Sequence, residues 1–126
     1  MSLEDFFKSE TDKNLGEFLT ENKLIKEEIK KIKSKIRQRR SQMLLHSCIY
    51  YELDENVVDD HTWQKWADEL AELQRKYPEY CQIKFYDREF YDWTGDSGAF
   101  LPLRDSWVYS SALRLLNSCK ENGEML

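Results

Sequence analysis

Apolar residues recur at helical spacing along the first half of the chain. Between residues 25 and 36 their spacing alternates four, three and four, which is typical of a heptad seam. The seam residues are Ile25, Ile29, Ile32 and Ile36. The pattern predicts one helix over about 14–53, roughly 55 Å long at 1.5 Å per residue. Its first half must then bury the seam against another subunit or a second helix of the chain.

A second amphipathic helix is predicted after a short polar bend. Asp59 or Asp60 is placed to cap its first turn, and Pro78 stops it just after Tyr77. Its apolar face, which includes Trp63 and Trp66, is expected to pack on the apolar end of the long helix. The two helices would form an antiparallel hairpin at the centre of the domain.

The rest of the chain predicts an extended segment, a turn and a last helix. Residues 81–93 are rich in aromatics and alternate as strands do, and Thr94–Gly98 has the composition of a turn. Asp105 or Ser106 caps a helix that ends before Gly123. We therefore expect a mainly α fold, with residues 1–44 as a helical extension able to form a coiled coil. Residues 45–126 would form one compact domain.

Charge is unevenly distributed along the chain. Residues 23–40 contain nine Lys or Arg and two Glu, a net charge of +7, so the remainder carries −12. The basic segment is either a nucleic-acid contact or a solvated helix face, and the acidic remainder, which would repel phosphate, favours the solvated face. No membrane-spanning run or signal pattern is present, so we expect a cytoplasmic protein.

Aromatic and acidic residues meet where the long helix ends and the next begins. An aromatic face attracts a flat cationic ring, and a carboxylate adds charge. The residues placed to do this are His46, Tyr50, Tyr51, Asp60 and Trp63. The alternative is structural: the aromatics would be core, Asp60 a helix cap and His46 a satisfied buried histidine.

The same stretch resembles the N-terminal domain of bacterial NAD-dependent DNA ligases, which grips the nicotinamide mononucleotide half of NAD. That family has a histidine, a Tyr-Tyr or Tyr-His pair, Leu-Asp, a bend, an Asp, and then Tyr-Asp three residues later. The positions that match in place are His46, Tyr50, Tyr51, Leu53, Asp54 and Asp60. Trp63 stands at the family's tyrosine, Gln64 replaces its second acid, and Tyr77, Pro78 and Glu79 stand at its His-Pro-Glu. The resemblance implies a helical hairpin and NAD or nicotinamide mononucleotide as ligand.

Catalysis is not expected, because ligases use a lysine nucleophile in Lys-x-Asp-Gly and the chain has no such motif. The predicted function is a non-catalytic nicotinamide-nucleotide module. The tail resembles that of short ligase-related proteins of phages and prophages, which suggests a sponge or sensor acting against host defence. The alternatives are a protein inhibitor or adaptor, with the aromatic cluster filled by the protein's own side chains, and a helper subunit acting in trans on a ligase.

The Thr94–Gly98 turn raises the question of phosphate binding. A Gly-rich turn before a helix can hold phosphate, and Arg104 is the one cation placed to complete such a site. No Walker lysine follows, however, so a turn that only reverses the chain is the simpler interpretation. No metal site is expected, since the three cysteines and two histidines do not share metal-ligand spacing.

Overall fold

Three α-helices and a short 3₁₀ helix make up the secondary structure in a computed structural model of this protein. It describes the backbone of residues 3–123 and the side chains of residues 20–123. The helices are α1 (Leu3–Tyr51), α2 (Asp60–Lys76), the 3₁₀ helix (Pro78–Tyr80) and α3 (Ser106–Asn122). No strand occurs within residues 3–123, and the prediction of a mainly α fold is confirmed.

The chain divides into two compact units, Met1–Ile32 and Lys33–Leu126, and α1 contributes to both. In the first unit, Ile25 is 55% exposed. In the second, Ile36 is completely buried. The four isoleucines therefore do not form one seam, because Ile36 belongs to a core. The apolar residues at the start of the predicted helix, Leu15, Phe18 and Leu19, lie outside the side chains that the structure describes.

The second unit begins earlier than the expected boundary at residue 44. Three α1 residues in this stretch, Ile36, Met43 and Leu44, have no exposed surface and join the core. The remaining buried apolar residues come from all parts of the unit, and they are Cys48, Ile49, Ala67, Leu70, Phe85, Phe90, Trp93, Leu101, Leu103, Val108, Ala112, Leu116 and Cys119. No helix within the described residues is apolar over enough of its length to cross a bilayer.

The end of α1 and helix α2 form the predicted antiparallel hairpin. Arg39 near the start of this stretch pairs with Glu69 at 2.7 Å, whereas His46, further along α1, contacts Trp66, which lies earlier in α2. The contacts thus move forward along α1 and backward along α2, as expected for two helices that run in opposite directions. After Tyr51, Asp54 takes a left-handed conformation with φ of 52°, which ends the helix and starts the bend.

The aromatic segment 81–93 is not extended, and that expectation was wrong. Asp87 folds it into turns by accepting hydrogen bonds from three backbone N–H groups, those of Ile83, Lys84 and Phe85. Lys84 and Tyr86 have φ values of 57° and 54°, which no strand allows.

Arg40 of α1 holds this folded segment in place. Its guanidinium is 1% exposed and donates to Asp87 at 2.7 Å, to the carbonyl oxygens of Phe85 and Cys81, and to Gln74 of α2. Burial of Asp87 opposes its ionisation, yet the hydrogen bonds from Arg40 and the backbone lower the pKa of this carboxyl below its usual value. The segment is thus organised around an ion pair whose guanidinium is buried and whose carboxylate is 34% exposed.

We expect Arg40→Met to lower the free energy of unfolding by about 1–3 kcal/mol, because it leaves the Phe85 carbonyl oxygen and the Gln74 side chain without their donor. The matched control is Arg75→Met, since Arg75 pairs with Glu72 but is 73% exposed and such pairs contribute about 0–1 kcal/mol. Urea unfolding of both variants measures the difference. Equal losses would show that Arg40 does not organise the segment.

Candidate ligand-binding site

A cavity of about 180 Å³ opens where α1 ends and α2 begins. We call it the ring cavity. Its walls come from the last turns of α1, the bend, the first turn of α2 and the Thr94–Gly98 turn. The lining residues are His46, Ser47, Tyr50, Tyr51, Asn56, Val57, Val58, Asp60, Trp63, Asp96 and Ser97.

All five residues predicted as a ligand site line this cavity: His46, Tyr50, Tyr51, Asp60 and Trp63. The first three lie within the last two turns of α1, and the other two lie in the first turn of α2. The bend between the helices brings the two groups together. Their role in binding stays a prediction, but their convergence on one cavity is a property of the fold.

The two adjacent aspartates at the start of α2 differ in the interactions that they make. Asp59 is the N-cap, and its Oδ1 accepts a hydrogen bond from the Thr62 N–H at 2.6 Å. This backbone hydrogen bond also lowers the pKa of Asp59. Asp60 makes no hydrogen bond or ion pair with any described residue, so its carboxylate remains available at the cavity.

The aromatic walls differ in how firmly they are held. Tyr50 and Tyr51 are about half exposed, and their rings meet edge to face at 4.9 Å. Trp63 is half-buried and rests at 6.3 Å on Trp93, whose Nε1 donates to the Ala67 carbonyl oxygen at 3.0 Å. Trp63 therefore forms a fixed wall, whereas the tyrosines have room to adjust.

His46 contributes no positive charge to the cavity near neutral pH. Its ring lies 5.2 Å from that of Trp66, and burial lowers its pKa to about 4. Its Nδ1 and the Ser47 hydroxyl are the buried side-chain polar atoms without a hydrogen-bond partner in the described part of the chain. Such groups are normally satisfied by an ordered water or a ligand.

The Thr94–Gly98 turn also contributes to the cavity wall, which its sequence did not indicate. Asp96 and Ser97 line the cavity, and Gly98 approaches so closely that a Cβ there would overlap the Ser47 hydroxyl. Composition identified the turn, but no local pattern places residue 98 against residue 47. Arg104 does not serve this turn, because it pairs with Glu52 at 3.1 Å.

Gln64 connects the start of α2 to the Thr94–Gly98 turn. Its Nε2 donates to the Gly95 carbonyl oxygen and to Asp68, both at 2.9 Å. Gly95 has a φ of 85° and packs against the α2 backbone at Ala67, so the turn needs both residues. A carboxylate at position 64 could not donate these hydrogen bonds. Gln64 does not line the ring cavity.

A second concavity, of about 340 Å³, shares Tyr50, Tyr51 and Asn56 with the ring cavity. Its other lining residues are Asp54 and Glu55, and we call it the acidic cavity. Among the described residues, no group of three or more His, Cys, Asp or Glu side chains is arranged to hold a metal ion.

Comparison with known proteins finds a partial relative. Over 51 residues, or 40% of this chain, the sequence is 37% identical to a DNA ligase of Thermosipho africanus (strain TCF52B). The matched segment spans 8% of that ligase. No protein-family model and no solved structure matches the chain. The chain is thus similar to a DNA ligase over part of its length.

We expect Gly98→Ala to lower the free energy of unfolding by about 1–3 kcal/mol, because the added methyl group overpacks against Ser47. Ser47→Gly in the same chain removes the obstacle, so the double variant should lose less than the sum of the two single variants. Thermal or urea unfolding of all four proteins gives this interaction energy. Strictly additive losses would contradict the contact.

Proposed function

We propose that this protein is a non-catalytic module that binds the oxidised nicotinamide ring of NAD, nicotinamide mononucleotide or a related molecule. The observation that carries the proposal is the ring cavity, where aromatic walls and an unpaired carboxylate surround a space of about 180 Å³. A cavity of about 150 Å³ holds a benzene molecule in another protein, so this space suits one six-membered ring. The sugar and anything beyond it would extend out of the cavity.

The chemistry of the walls fits an oxidised ring better than a reduced one. Oxidised nicotinamide carries a positive charge, which the faces of Trp63, Tyr50 and Tyr51 attract by about 0.5–2 kcal/mol. The carboxylate of Asp60 adds attraction for the same charge. The reduced ring is neutral, so it gains neither interaction.

The openness of the cavity supports ligand binding over the alternative named from the sequence. An inhibitor or adaptor would have the aromatic cluster filled by its own side chains, whereas here Tyr50 and Tyr51 are 52% and 48% exposed. The partial similarity to a DNA ligase supports the same proposal, through the resemblance of His46–Glu79 to the nicotinamide-binding domain of that family. We also propose action as a sponge or sensor against host defence, which rests on such binding together with the resemblance of the tail to short phage and prophage proteins.

A protein-binding role is the second candidate, and two exposed aromatic side chains favour it. Tyr91 is 90% exposed and Phe100 is 64% exposed, and neither lines the ring cavity. Exposed aromatics are common anchors in protein interfaces. This role becomes first choice if the cavity binds no pyridinium compound.

We expect Trp63→Ala to weaken binding of oxidised nicotinamide mononucleotide by up to about thirtyfold, since it removes the fixed stacking wall. Asp60→Asn should reduce the affinity for the oxidised ligand more than the affinity for the reduced one. It should leave the melting temperature unchanged, because Asp59 is the N-cap of the helix. Isothermal titration calorimetry measures both variants. Trp107→Ala is the control, since Trp107 is 41% exposed on α3 and does not line the cavity.

An absence of heat at millimolar ligand, with the protein folded, would overturn the proposal. An equal loss of affinity in Trp107→Ala would show that the effect is not local to the cavity. Incubation with NAD followed by intact-mass measurement tests the non-catalytic part. An adenylate adduct on a lysine would contradict it.

A further inference from the structure

Negative charge surrounds the ring cavity and the acidic cavity. Of the described residues that line either one, none is Lys or Arg. Four are carboxylates: Asp54, Glu55, Asp60 and Asp96. A ligand group that leaves the ring cavity toward these residues meets carboxylates, and the cation beside them, Lys120, is paired with Glu55.

Two cations close to these cavities in the fold are already paired. Lys120 binds Glu55 at 3.2 Å, and Arg104 binds Glu52 at 3.1 Å. Asp54, Asp60 and Asp96 have no cationic partner among the described residues. Ser47 also lines the ring cavity, is 1% exposed, and its hydroxyl has no hydrogen-bond partner among the described residues, so an unsatisfied polar atom lies at this site.

We propose, on the basis of the function proposed above, that the ligand is a pyridinium nucleoside without phosphate, of the nicotinamide riboside class. A phosphomonoester carries about −1.5 to −2 charge at neutral pH. The 5′-phosphate of the nucleotide would therefore face unpaired carboxylates, whereas the nucleoside presents only a positive ring and hydroxyl groups. The site selects for the positive ring and against the phosphate.

Calorimetry with oxidised nicotinamide riboside and oxidised nicotinamide mononucleotide tests this directly. At 0.01 M salt, where the Debye length is about 30 Å, we expect the riboside to bind roughly threefold to tenfold more tightly. At 0.15 M salt we expect the riboside to bind more weakly and the nucleotide to bind more tightly. Salt screens both the attraction of the carboxylates for the positive ring and their repulsion of the phosphate. Tighter binding of the nucleotide, weakening with salt, would overturn this inference and leave the proposed function intact.

A charge introduced between the two cavities gives a second readout. Asn56 is exposed and lines both cavities. The variant Asn56→Lys should therefore bind the nucleotide more tightly and the riboside more weakly. Gln82→Lys adds the same charge at an exposed position outside both cavities and should change neither. Equal effects of the two variants would also overturn the inference. Failure of both ligands to bind would instead remove the proposed function.

The exposed face of α1 in the first unit carries a separate inference. Ile25 is 55% exposed, and the half-buried residues beside it fall at core positions of a heptad. With Ile25 and Ile32 at d, the a positions hold Asn22 and Ile29. An asparagine at one a position fixes the register of a parallel two-stranded coil.

We infer that this face pairs with a second copy of the chain in parallel orientation. In a parallel pair, each g residue faces the e residue five positions later on the partner helix. Glu21 would then face Lys26, and Glu28 would face Lys33, so both contacts are attractive. An antiparallel pair would place Glu opposite Glu and Lys opposite Lys, so repulsion between like charges disfavours that orientation.

Sedimentation equilibrium on the full chain tests this pairing. Glu21→Lys and Lys26→Glu should each weaken the dimer by roughly threefold to tenfold. The double variant reverses each pair and should restore the dimer. A monomeric native chain at high concentration would overturn the inference, and so would a double variant weaker than both single variants.

Discussion

The buried guanidinium of Arg40 is the interaction on which the second unit depends. It joins α1 to α2 through Gln74 and to the aromatic segment through Asp87 and two carbonyl oxygens. The folded segment then supplies Phe90 and Trp93, and Trp93 supports Trp63 in the wall of the ring cavity. The buried charge of Arg40 thus helps to position Trp63 through a series of three contacts. These are Arg40 with the aromatic segment, Phe90 with Trp93, and Trp93 with Trp63.

Periodicity was enough to predict that the helices exist, because their apolar faces and caps are local features, but α1 begins at Leu3 and not near residue 14. The aromatic segment could not be predicted in the same way. Its alternation resembles a strand, and its true conformation depends on an arginine more than 40 residues earlier in the chain. The basic run that contains Arg39 and Arg40 was interpreted as a solvated face, yet both of these side chains are buried and paired. Charge counted along a sequence does not show which cations turn inward.

The candidate site was partly visible in the sequence for a related reason. Its five predicted residues stand at the ends of two consecutive helices, so a short bend is sufficient to bring them together. The remaining wall comes from the Thr94–Gly98 turn, which contacts Ser47 although the two are far apart in the sequence. The resemblance to the ligase family identified the helical part, whereas this turn lies outside the stretch that carries the resemblance.

The division of roles between Asp59 and Asp60 has a consequence for how this surface can change over time. Because Asp59 is the N-cap of α2 and Asp60 makes no hydrogen bond with any described residue, substitutions at position 60 should have little effect on folding. The charge at the mouth of the ring cavity can therefore change during evolution without passing through unstable intermediates. Neighbouring residues with separate duties make the chemistry of the cavity evolvable on a constant scaffold.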